Sequence, residues 1–169
     1  MATAKRSPGP HDIQEGDVMA HTFAVGIVDV VVSFLKMHET PKDPQVRFEV
    51  IKHQSNYVLW NLHRKVPTAF QAVFGAEIVG SEEAKIAPGR LDVDTTVLVS
   101  DICTINVVST YVAGETGETG TRAETRARIS WNRKPPLTVR DMIMHTFQSW
   151  TRTEWDHLQL VLDQEQTTT

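Results

Sequence analysis

The chain of 169 residues has the size of one ordinary domain, and its net charge of −4 and pI near 6.0 remove the broad basic field on which general nucleic-acid binding depends. A single cysteine, Cys103, rules out an internal disulfide and a Cys/His zinc framework. The longest apolar patch, residues 27–35, is broken by Asp29 and Ser33 and falls short of the ~18 residues of a membrane-spanning helix.

Residues 1–17 hold Lys5, Arg6, Pro8 and Pro10 but no apolar core. They read as a flexible tail rather than a secretory signal, and Asp12, Glu15 and Asp17 argue against a transit peptide. The ordered domain is expected over 18–165. Val18 to Val25 is a candidate first strand, punctuated by Gly26. Residues 27–37 are ambiguous. Val28, Val30, Val31 and Val32 favour a strand by propensity, whereas Ile27, Val30, Val31, Phe34 and Leu35 fall at helical spacing.

Pro41 and Pro44 make 38–44 a loop. Phe48, Val50, Tyr57, Leu59 and Leu62 then alternate weakly around a Ser55-Asn56 turn, which predicts a hairpin. Pro67 suits the first turn of a short helix ending at Phe74 and Gly75. A strand is expected over 78–87, followed by a turn at Pro88-Gly89.

The clearest strands come next. Leu91, Val93, Val97 and Val99 oppose Asp92, Asp94, Thr96 and Ser100, while Cys103, Ile105, Val107, Ser109 and Tyr111 share one face of the following strand. Gly114 to Gly120 reads as a hairpin tip. Beyond it Ala123, Thr125, Ala127, Ile129 and Trp131 alternate with Arg122, Glu124, Arg126, Arg128 and Ser130.

Pro135-Pro136 ends the sheet, and Thr138 with Asp141 resembles a capping box. Val139, Met142, Ile143, Phe147, Trp150, Leu158, Val161 and Leu162 then step by three and four, with Trp155 on the flank. A helix of ~25 residues would span nearly 40 Å. The fold class is therefore α+β: a curved antiparallel sheet of six to seven strands closed by a long C-terminal helix. Periodicity does not distinguish a packed core from an enclosed cavity.

No catalytic constellation stands out. The seven histidines include no His-x-x-x-His pair, and His38 beside Glu39 reads as part of a solvated loop. Glu82 with Glu83, and Asp92 with Asp94, read as surface charges, and Cys103 as buried filler. His145, near Thr104 or Asn106, is the place where an enzymatic cup would carry polar chemistry. Phosphate-loop and nucleophile-elbow spacings are absent, so neither a cofactor nor a metal is implied. His63-Arg64-Lys65 suits anionic headgroups at a membrane surface or, more simply, a solvated basic turn.

Several segments, taken in order, resemble the PRELI-like family of mitochondrial intermembrane-space lipid-transfer proteins. They are His21-Thr22-Phe23 with Val28 to Leu35, the loop from His38 to Val46, and Lys65 to Gly75. Glu83, Pro88 and the stretch Trp150-Thr151-Arg152-Thr153-Glu154-Trp155-Asp156 complete the set. The resemblance implies a helix over 27–37, a START-like cup, and non-enzymatic phospholipid transfer between mitochondrial membranes; the alternatives are a cup enzyme of the cyclase or hydrolase type and a degenerate member acting as a regulatory or scaffold subunit. Phosphatidic acid or another anionic phospholipid is the cargo it implies, with transient contact at a membrane surface and a small twin Cys-x9-Cys helical partner.

Its headgroup candidates are Lys36, Lys52, Arg64, Lys65 and Arg140. Val66, Pro67, Phe70, Phe74, Met144, Phe147 and Trp150 are its cavity and lid candidates. The chain departs from the family pattern where Met144, Thr146 and Glu154 stand in place of basic residues on the closing helix.

Overall fold

The computed structural model describes residues 18–114 and 119–167. The expected tail over 1–17, and most of the expected hairpin tip, lie outside the described residues. Strand β1 (Val18–Phe23) leads into helix α1 (Ile27–Glu39), then the hairpin β2 (Val46–Gln54) and β3 (Tyr57–Lys65). A 3-10 turn (Thr68–Phe70) runs into the short α2 (Gln71–Phe74), followed by β4 (Glu77–Ala87), β5 (Arg90–Val99), β6 (Cys103–Ala113) and β7 (Thr121–Trp131). Helix α3 (Leu137–Thr167) closes the fold. All seven strands form one antiparallel sheet in the order β1-β7-β6-β5-β4-β3-β2, so β1 returns to pair with β7 and leaves β2 as the far edge.

The ambiguous segment 27–37 is helical. Val30, Phe34 and Met37 recur at three- and four-residue steps and are buried, while Val28 and Val32 point to solvent. A valine in a helix costs a few tenths of a kcal/mol, whereas burying Val30 and Phe34 contributes ~1.5–3 kcal/mol each. Tertiary burial therefore overrides local propensity. The helix also extends further than expected, through His38 and Glu39.

The sheet pattern matches the alternation read along the chain. Leu91, Val93, Val97 and Val99 on β5, and Cys103, Ile105 and Tyr111 on β6, face inward and are buried. The turns need glycine at two points: Gly75 after α2 and Gly89 between β4 and β5 adopt φ of 78° and 71°.

Two details of α3 differ from expectation. It starts at Leu137, before Thr138, and the Pro136 carbonyl accepts its first hydrogen bonds from Val139 and Arg140 rather than a capping box doing so. Trp155 is fully part of the buried stripe rather than on its flank. At 31 residues the helix spans ~46 Å, enough to cross the whole sheet.

Two clusters of side chains make up the core. Phe23, Phe34, Trp60, Leu91, Tyr111, Trp155, Leu158 and Leu162 join α1, the sheet and the C-terminal half of α3. Phe74, Ile78, Val99, Ile105, Ile143 and Phe147 join α2, the sheet and the N-terminal half of α3. Packing is thus dense at both ends of α3, with a gap between them.

Candidate functional site

That gap is a half-open cavity of about 110 Å³. Its apolar wall comes from Leu62, Ile78, Val93, Val97 and Val107 on the sheet, Phe147 and Trp150 on α3, and Met37 on α1. Such a volume is on the scale of a ~150 Å³ engineered cavity that accepts benzene, and below the ~300–1,000 Å³ of drug-sized sites. Met144 borders a smaller void of about 30 Å³ behind Phe147. A depression of about 260 Å³ beside Val25, Asp29, Val32 and Leu162 lies where α1 meets the end of α3. It sits away from the inner face of the sheet.

The polar end of the cavity is built from residues that the sequence reading placed elsewhere. His38 is not in a solvated loop: it lies on the last turn of α1, 4 % exposed, between the rings of Phe48 and Trp60. Its Nδ1–H donates to the Phe34 carbonyl at 2.9 Å, and Nε2 pairs with Glu82. Glu82 is likewise not a surface charge. It is 4 % exposed on the inner face of β4, where its second oxygen accepts a hydrogen bond from Thr95 at 2.9 Å. Burial alone would lower the His38 pKa, but the Glu82 carboxylate, its hydrogen bond and the Phe34 carbonyl outweigh burial and raise it. With Nδ1 donating to a carbonyl, Nε2 faces the Glu82 carboxylate, an arrangement that favours the protonated ring.

Glu154 projects from α3 into the same cavity and is half-buried. Burial, reinforced by the Glu82 charge, pushes its carboxyl up to about 7, against the opposing pull of His38 and Arg64. Opposite it Arg64 pairs with Asp43 at 3.1 Å and lies over the Trp150 ring, 4.1 Å from its centroid. Burial lowers the Arg64 pKa while Asp43 opposes that shift.

Of the five cations expected at a headgroup, only Arg64 lines the cavity, and Asp43 already engages it. Lys36 pairs with Glu165 on the protein surface. Lys52 sits on the edge strand, 5.7 Å from the Tyr57 ring centroid, and Lys65 and Arg140 are solvent-exposed. The expected lid is also only partly where the resemblance puts it. Val66 and Phe74 are packed into the core, Pro67 and Phe70 are exposed, and none of the four lines the cavity. Phe147 and Trp150 do line it, in an edge-to-face pair with centroids 4.6 Å apart.

The constellation around His145 does not form. His145 is exposed, and Asn106 faces outward, donating to Asp94 at 2.6 Å and to Thr96 at 3.2 Å. Cys103 is buried, and burial pushes its thiol up to about 11, which leaves it unreactive. Among the described residues no three His, Cys, Asp or Glu side chains are grouped to hold a metal ion, and no helix is long and apolar enough to cross a membrane.

No protein-family profile matches the chain, and no curated protein resembles it in sequence. Solved structures do resemble it. Ara h 8.0201 superposes with a TM-score of 0.63 at 11% identity, over 88% of this chain and 97% of that one. A conserved protein from Geobacillus kaustophilus gives 0.58 at 8% identity, over 86% and 93%. The Zhui aromatase/cyclase from Streptomyces sp. R1128 gives 0.54 at 13% identity, over 89% and 92%. The chain therefore has the Bet v 1/START-like helix-grip fold, a seven-stranded antiparallel sheet grasping one long C-terminal helix.

Proposed function

We propose that this protein binds a small amphipathic ligand non-enzymatically, seating its apolar body against the sheet and α3 and its polar end at Glu154. The carrying observation is the gap left between two well-packed core clusters, apolar along its walls and ionisable at one end. A protein that needed only a core would gain dispersion contacts by filling that gap. Purified protein should release a bound organic molecule on denaturing extraction, or displace an environment-sensitive apolar dye on titration. Neither happening would refute the reading.

The narrower form of this reading is phospholipid transfer between mitochondrial membranes, in the intermembrane space and with a twin Cys-x9-Cys partner. Its support is the resemblance, together with the helical state of residues 27–39, which covers the helix the resemblance implies. Two acyl chains require far more than about 110 Å³, so this form needs α3 to swing away from the sheet on loading. Transfer between liposomes, measured by dequenching of a labelled phospholipid, tests it directly.

An enzymatic reading is favoured by a different observation: a carboxyl with a pKa near neutrality, Glu154, shares the cavity with Glu82, which His38 holds from behind the lining. Such a group can exchange protons at physiological pH. The likeness of fold to an aromatase/cyclase makes aromatic ring closure the reaction class to assay. Loss of product formation in Glu154→Gln, with ligand binding retained, would favour this reading over simple binding.

A further inference from the structure

The charge balance inside the cavity favours one sign of ligand. Two cations, His38 and Arg64, are each held by a carboxylate of their own, Glu82 and Asp43. Glu154 lines the same space and forms no ion pair of its own among the described residues, although Arg64 and His38 both attract its charge. With these five groups ionised, they sum to one negative charge inside the rim, and the carboxylate without an ion pair of its own is Glu154. Lys42 and His157 complete the charged and titratable lining; Lys42 is exposed on the loop after α1, and His157 lies one turn beyond Glu154 on α3.

An anionic ligand would add a second uncompensated charge to a space of low dielectric, and a cation would cancel the first. The Phe147 ring in the same wall also suits a cation better than an anion, whereas the Trp150 ring already carries Arg64. We propose that the cavity selects ligands that join an apolar body to a protonated amine, whose N–H groups donate to the Glu154 carboxylate. This rests on the ligand-binding reading above and names the chemical class of the ligand.

The preference should also depend on pH. An alkylamine, like a lysine side chain at ~10.4, stays protonated through neutrality, so the group that titrates is Glu154. His38 and Arg64 face it from α1 and β3, Glu82 from β4, and His157 and Lys42 from α3 and the rim loop. As the carboxyl ionises near pH 7, amine affinity should rise about ten-fold between pH 6 and pH 8, in proportion to the binding-competent fraction.

Calorimetric titration with octylamine, octanol and octanoate tests this with one chain and three headgroups. Octylamine should bind at least ~10-fold more tightly than octanoate, and more tightly than octanol, at pH 8. Glu154→Gln should erase the amine preference while octanol still binds. If octanol binds the unaltered protein and octylamine binds no better, the inference fails while the ligand-binding reading stands. If none of the three binds, both fail. The comparison within the unaltered protein decides the matter even if the variant does not fold.

Discussion

Replacing Glu154 by Gln should make the protein more stable at alkaline pH and leave it unchanged in acid. The folded state raises this carboxyl from an ordinary 4.5 to about 7, first because it is buried and second because Glu82 is close. Folded protein then holds a proton that unfolded chain has released, so stability falls as pH rises from about 4.5 to about 7 and the full penalty applies above that window. At ~1.4 kcal/mol per pH unit the rise corresponds to ~3 kcal/mol. That figure is a ceiling, because the carboxylate keeps some water through the open side of the cavity. Gln matches Glu in shape but cannot ionise, so it should recover ~1–3 kcal/mol at pH 8. For a chain of this size the gain is a rise in Tm of ~2–10 °C. Thermal unfolding followed by circular dichroism, for both proteins at pH 5 and pH 8, measures it. A variant less stable at pH 8, or equally shifted at both pH values, would refute the electrostatic account.

Other substitutions probe the frame around the site. Glu82→Ala leaves the His38 imidazolium buried without its carboxylate and should cost ~3–5 kcal/mol in urea unfolding at pH 6; a loss below ~1 kcal/mol would show that the pair does not hold α1 to the sheet. The cost should shrink as pH rises through the His38 pKa, because a His pKa raised on folding stabilises below its unfolded value and loses that contribution above its folded one. Phe34→Ala, deep between His38, Trp60 and Tyr111, should cost ~3–5 kcal/mol in the same assay, whereas an unchanged midpoint would contradict its place in the core. At Gly80 an added Cβ would meet the Thr96 carbonyl oxygen at 2.3 Å and Val97 Cγ1 at 2.7 Å, so Gly80→Ala should destabilise by at least ~1–3 kcal/mol and weaken protection of the β4–β5 amides in hydrogen exchange.

The inward direction of the site's residues follows periodicities in the chain, even though Glu82 reads as a surface charge and His38 as a loop residue when taken singly. Glu82 follows Ile78 and Gly80 and precedes Ala84 at steps of two, so the alternation of β4 puts it on the inner face. Glu154 lies seven residues after Phe147 and four before Leu158, on the apolar stripe of α3. His38 follows Phe34 by four, once α1 is allowed to continue past Met37. Thr95 likewise shares its face with Val93 and Val97. A charged residue on an apolar face can be read as an interruption or as a site, and spacing alone does not say which. The pairing His38–Glu82 joins residues 44 apart in sequence, and only the packing of α1 against the inner face of the sheet brings them together.

The order of strands and turns, the inward faces of β5, β6 and β7, and the long amphipathic C-terminal helix all follow from local rules. Side-chain period and turn chemistry act over a few residues and need no knowledge of the rest of the chain. Tertiary structure decided the remainder. Residues 27–39 became a helix because Val30 and Phe34 gain more by burial than the valines lose in propensity. The two core clusters stop short of meeting because the side chains between them do not fill the space. The unpaired charge inside the rim is negative because Asp43 and Glu82 reach Arg64 and His38 from distant elements, and none of the described cations forms an ion pair with Glu154. Cavity volume and charge pairing depend on atoms brought together across the whole fold, which is why no window of sequence contains them.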